Sequence, residues 1–139
     1  YCTAVGKVML AYMPDDERER LLPQLTLQCL TPNTVSNFQE LNSELFRVRK
    51  NGYACDLEEH ELHIRCLAAP IWDHAGGVNA SLSITAPVVR MAVTRLRQLA
   101  PLIQTAGLQI SRQLGYRSVG YHVPVRKNGA AEAAFAKHL

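Results

Sequence analysis

The sequence predicts an α+β domain: an antiparallel sheet with helices packed against it. Three observations point there. Segments with apolar residues every three or four positions flank a middle region that is strand-like. In that region an apolar run is followed by an alternating one. A turn signal, DHAGG, joins the two runs into a hairpin.

Each element follows from its own pattern. Val5, Val8, Met9 and Tyr12 recur at helical spacing between Thr3 and Met13, with Thr3 able to cap the start. Pro14 interrupts, and Asp15, Asp16 and Glu17 make an acidic first turn for a short helix reaching Leu21 and Leu22. Residues 23–34 read as a loop. Ser36 and Gln39 match a capping box ahead of a helix carrying Phe38, Leu41, Leu45 and Val48, and Asn51-Gly52 stops it. A short strand is expected over Tyr53 to Asp56, then the polar LEEHELH segment. Ile64 to Trp72 is apolar enough for a central strand, and Gly77 to Thr85 alternates. A long helix follows from Thr94 to Leu114, with Leu96, Leu99, Ile103, Ala106, Ile110 and Leu114 in its stripe. Pro101 should kink it, and Gly115 ends it. In the tail, 116–139, RSVGYHVPVRKNG has no period and AAEAAFAKHL is an Ala-rich helix candidate.

Composition narrows the function classes. The 139 residues suit one domain, and 47% hydrophobic against 19% charged residues allow a core. Fifteen Lys and Arg against twelve Asp and Glu give +3, too weak and scattered for this segment itself to grip nucleic acid. No run of about 18 apolar residues occurs, so no membrane partner is expected. The chain begins at Tyr1 without a basic leader, which reads as a piece of a longer protein. Cys2, Cys29, Cys55 and Cys66 form no CxxC, so they read as reduced thiols filling the core of a cytoplasmic protein. No cofactor is expected.

The hairpin is a candidate binding wall. Ser81, Ser83 and Thr85 share one face of the second strand, while Ala80, Leu82 and Ile84 share the other. If Asp73 pairs with Val78 around a four-residue loop, Cys66 faces Thr85, Ala68 faces Ser83 and Pro70 faces Ser81. If Trp72 pairs with Gly77 instead, Cys66 faces Ser83 and the faces keep their membership. A three- or five-residue loop would exchange the faces. The small, hydroxyl-rich face suits a small polar ligand, although a solvent-facing sheet surface would look the same. TAVGK adds a helix start whose backbone N–H groups attract anions, with Gly6 allowing close approach.

At TAVGK, NGYACDLEEHE, RCLAAPIWD and SLSITAP the chain resembles the effector-binding domain of the IclR family of bacterial transcriptional regulators. The likeness runs from about Thr3 to Gly115. It implies a GAF-like fold over residues 1–115, with a small carboxylate effector on the sheet, such as a keto acid, sugar acid or aromatic acid. By position it implies that Ala4, Val5 and Gly6 meet the ligand through backbone, and that Asp56, Cys66, Ser83 and Thr85 make polar contacts. Thr85 stands where many relatives have Ser, and Tyr1 where many have His. The resemblance further implies an N-terminal winged helix-turn-helix that carries DNA binding, and first strands of the effector domain, both outside this chain. It implies a homodimer or tetramer, and a regulator of a catabolic operon, a repressor before an activator.

Three rival readings are open on the residues alone. A cysteine enzyme would use Cys66 with Arg65 and His60 or His63, but Arg65 falls on the opposite strand face and no oxyanion motif is visible. The expectation is that the chain is not an enzyme. A zinc sensor would use His60 and His63 with a carboxylate or Cys66, which requires the LEEHELH segment to be helical. An interaction module would use the stripe of the long helix, although a helix packed on a sheet needs that stripe anyway.

Overall fold

The computed structural model describes residues 1–117; the readings made for the tail beyond them lie outside the described residues. Helix α1 (Ala4–Tyr12) starts at Thr3, whose hydroxyl accepts the Gly6 N–H at 3.0 Å. Pro14 separates it from α2 (Asp15–Leu21), and a 3-10 turn at Leu22–Gln24 leads into the loop. Helix α3 (Phe38–Asn51) is capped one residue later than the Ser36–Gln39 pattern predicts. Asn37 is the cap, its side chain accepting the Glu40 N–H at 2.8 Å. Gly52 ends it with φ +75°, a backbone that favours glycine. Strands β1 (Ala54–Leu57), β2 (Ile64–Trp72) and β3 (Val78–Pro87) form an antiparallel sheet with β2 in the middle. Helix α4 (Val93–Gln113) closes the described fold and runs without a break through Pro101.

Register decides which side chains share a face. Cys66 pairs with Thr85, Ala68 with Ser83 and Pro70 with Ser81, the first of the two expected registers. The turn differs from expectation. Trp72 rather than Asp73 pairs with Val78, which makes the loop five residues long and alone would exchange the faces. A bulge next to Ile71 and Trp72 restores them. The Asp73 carboxylate accepts the N–H groups of Ala75 and Gly77 at 2.8 and 2.9 Å and so holds the turn. The Trp72 N–H donates to the Ser111 hydroxyl at 2.8 Å.

The sheet lies between two helical layers. Ala54 and Ala68 pack with Val8 and Ala11 of α1 and with Leu41, Leu45 and Val48 of α3. Leu67 and Ala69 pack with Leu96, Ala100 and Ile103 of α4. The buried stripe of α4 is Leu96, Ala100, Ile103, Gly107 and Ser111, whereas the expected Leu114 is exposed. Small residues win there because the helix lies close to β2: a Cβ at Gly107 would meet the Pro70 carbonyl oxygen at 2.8 Å. Phe38, expected in the stripe of α3, is also exposed, as is Cys29 among the thiols expected in the core. All four cysteines are free.

Candidate functional site

Three of the expected site residues form one row across the sheet. Asp56 of β1, Cys66 of β2 and Thr85 of β3 are successive cross-strand partners. The next row is Ala54, Ala68 and Ser83. Helix α1 packs against all three strands on this side, so its first turn and the row belong to the same layer.

The polar groups in the row do different things. Ser83 and Thr85 are exposed, and the Thr85 hydroxyl donates to the Cys66 sulfur at 3.2 Å. Ser81 instead turns its hydroxyl back to the Ala69 carbonyl at 3.1 Å. Burial pushes the Cys66 thiol above its ordinary range; the Thr85 bond opposes this, and the Asp56 charge adds to it. The group is therefore a thiol near neutral pH. Asp56 is only 2% exposed, and one of its oxygens accepts the N–H of Glu59 at 2.8 Å and of His60 at 3.4 Å. Asp56 thus anchors the loop after β1 from beneath the site.

That loop is held on every side. Thr31 and Thr34 donate to the Glu58 and Glu59 carbonyls, each at 2.6 Å. Arg65 clasps the Glu58 carboxylate at 2.8 Å from the opposite face of β2. Glu58 and His63 take φ values of +65° and +68°, so the segment is a sequence of bends and a turn. It is not helical, and the spacing a His60–His63 metal site requires is absent. Among the described residues no three metal-ligating side chains gather. His60 faces the Cys2 sulfur across 3.6 Å and Arg65 is engaged with Glu58, whereas the Cys66 thiol meets Thr85. The His60 and Arg65 roles that a Cys66 nucleophile would need are thus not brought together with it.

The start of α1 departs from expectation in one respect. The Gly6 N–H is already used by the Thr3 cap, and the Lys7 N–H closes the first turn on the Thr3 carbonyl. The amides of Ala4 and Val5 are the ones left outside the ladder of the helix. Ala4 is buried and Val5 about one-third exposed, 36%. A Cβ at Gly6 would lie 3.0 Å from the Thr3 hydroxyl and 3.5 Å from the Tyr1 nitrogen, so glycine lets the preceding chain lie close.

Two residues went unrecognised in the sequence reading. Lys7 is 1% exposed, and its ammonium meets Glu59 Oε1 at 2.5 Å. Glu59 Oε2 is buried with no hydrogen-bond partner among the described residues. Burial raises the Glu59 carboxyl above its ordinary value, helped by Asp56 and Glu44 and opposed by Lys7. The signal was legible: Ala4, Lys7, Val8 and Ala11 follow helical spacing, which puts a lysine on the buried face.

Hydroxyls that donate and accept, an un-ionised thiol and a helix start suit reversible binding of a small polar molecule with an anionic end. Comparison with known proteins gives the family. The family described as bacterial transcriptional regulator IclR C-terminal matches residues 1–112. The HTH-type transcriptional regulator XynR of Escherichia coli is 38% identical over 116 residues, covering 84% of this chain and 46% of XynR. The chain thus spans just under half of that relative's length. The crystal structure of the C-terminal domain of E. coli KdgR superposes with a TM-score of 0.77 at 39% identity, covering 84% of this chain and 71% of that one. The double mutant of the PobR inducer-binding domain from Acinetobacter, in complex with 3-hydroxy benzoic acid, has a TM-score of 0.74 at 26% identity, covering 79% and 65%.

Proposed function

The chain belongs to the IclR family of transcriptional regulators, as its C-terminal effector-binding domain, and from that premise we propose that it senses a small hydroxylated carboxylate. The observation that carries this reading is the polar row Asp56–Cys66–Thr85 in the same layer as the start of α1. The effector carboxylate lies on the backbone amides of Ala4 and Val5, with Gly6 leaving room beside them, at the positive end of the helix. Its hydroxyl or keto end meets Ser83, Thr85 and the Cys66 thiol. Asp56 stays at the hydroxyl end, since a second carboxylate beside it would repel.

In this reading residues 1–115 are the sensing unit, and further strands of the domain and a winged helix-turn-helix belong to the longer protein. That protein is a cytoplasmic homo-oligomer that binds DNA through the helix-turn-helix and represses a catabolic operon. The effector moves it off DNA only as far as it favours one state over the other. PobR, crystallised with 3-hydroxy benzoic acid, supplies a hydroxylated carboxylate as first probe.

The test is a thermal-shift screen of 3-hydroxybenzoate, pyruvate and gluconate, followed by titration of Asp56→Ala and Ser83→Ala. A binding acid should lose affinity in both variants. Unchanged affinity in both overturns the site, and no binding by any of these acids overturns the ligand class.

A further inference from the structure

Lys7 and Glu59 lie between the two halves of the site just described. Lys7 is the fourth residue of α1, directly after the Ala4–Gly6 segment. Glu59 follows Asp56 by three residues, and its N–H is bound by the Asp56 carboxylate at 2.8 Å. The ion pair between them, 2.5 Å long and almost wholly buried, is a direct link from helix start to loop. We propose that Lys7 and Glu59 are positioning residues for the effector: their pair locks the start of α1 to the loop after Asp56 and so fixes the distance between the two ends of a bound hydroxylated carboxylate. The inference rests on the effector reading and adds two residues that do not themselves touch the ligand.

Two features argue against a purely structural role. A buried ion pair is commonly no more stabilising than apolar side chains of the same volume, because both charges lose their hydration. Moreover, the pair is not built for maximal stability, since Glu59 Oε2 is left bare in the interior. What the pair supplies that an apolar contact cannot is direction, one nitrogen against one oxygen.

The surroundings also make the pair responsive to charge. The Glu59 carboxyl feels the charge of Lys7 from α1, Glu44 from α3 and Asp56 from β1; Glu44 is itself paired with Arg47. His60 follows Glu59 in the loop and faces Cys2, and Thr31 and Thr34 bring uncharged hydroxyls. The lock needs Glu59 ionised, so protonating it as pH falls through its raised value releases the loop from Lys7. Affinity should therefore fall as pH falls.

The experiment is calorimetric titration of 3-hydroxybenzoate, pyruvate and gluconate into the wild-type chain, Glu59→Gln and the double variant Lys7→Met/Glu59→Leu, from the ordinary Glu value of 4.5 upward in pH. The double variant should melt at or above the wild-type temperature yet bind roughly tenfold more weakly, as expected for coupled neighbours. In both variants the pH dependence of affinity should flatten. Wild-type affinity with the wild-type pH slope in the double variant overturns the proposal. If the double variant does not fold, the near-isosteric Glu59→Gln decides by the same two readouts. Absence of binding by any acid to the wild-type chain removes the effector reading itself, and this inference with it.

Discussion

On β2, alternate residues meet two different environments. Leu67 and Ala69 point toward α4 and are wholly buried among Leu96, Ala100 and Ile103. Cys66 and Ala68 point toward α1, in the rows that hold Asp56, Thr85 and Ser83. The α4 side is close-packed hydrocarbon, where each fully buried large side chain stabilises by about 1.5–3 kcal/mol. The α1 side has an apolar core with α1 and α3 as well, but adds to it buried charge, a thiol and exposed hydroxyls. Such groups add little to stability and suit recognition. One strand of period two therefore separates a purely apolar contact from the mixed face on which effector binding is proposed, without a change of element.

The largest break of this comparison is Leu67→Ala. It removes a side chain with no exposure on the α4 face, and the expected loss is about 3 kcal/mol in a urea titration. Effector affinity of the folded fraction should hold. A loss under about 1 kcal/mol would mean that the α4 face is not the support it is taken to be.

Next comes Ser111→Ala, at the join between the faces. Its hydroxyl accepts the Trp72 N–H and donates to the Gly107 carbonyl at 2.7 Å. Removing it strands the amide displaced by the bulge, at a cost of about 1–3 kcal/mol. Amide exchange at Trp72 should accelerate beyond that of its neighbours on β2, and uniform exchange across the strand would contradict the assignment.

A smaller effect concerns pH. The folded-state Glu59 carboxyl lies above its ordinary value of 4.5, raised chiefly by burial. Its stabilising contribution is therefore complete below that value and declines as pH rises through the raised one. Comparing denaturation midpoints of wild type and Glu59→Gln over that window should show the wild-type advantage shrinking with rising pH. A constant difference would remove Glu59 from the titrating groups.

Smallest in stability is Ser83→Ala, an exposed hydroxyl on the sensing face, expected within about 0.5 kcal/mol of wild type. The loss should appear only in effector affinity. A clear fall in stability would blur the division between the faces.

Much of this division was legible in the sequence. The alternation of Ser81, Leu82, Ser83, Ile84 and Thr85 assigned the faces of β3, and the apolar run marked β2 as central. Capping of α3 was less legible, because Ser36 and Asn37 are both good caps and the choice between them depends on where the incoming loop lands. Glu59 was hidden in a run of charged residues that looks solvated, and is buried only because Thr31, Thr34 and Asp56 fold the loop inward.

The sequence by itself determined the order of elements, the alternation along each hairpin strand and the family likeness, because these follow from local periodicity and motif spacing. Tertiary structure alone decided the five-residue turn with its compensating bulge, the small-residue stripe of α4 and the burial of Lys7 against Glu59. Those depend on how closely two elements approach and which polar groups are left to pair there, and no local pattern encodes that distance.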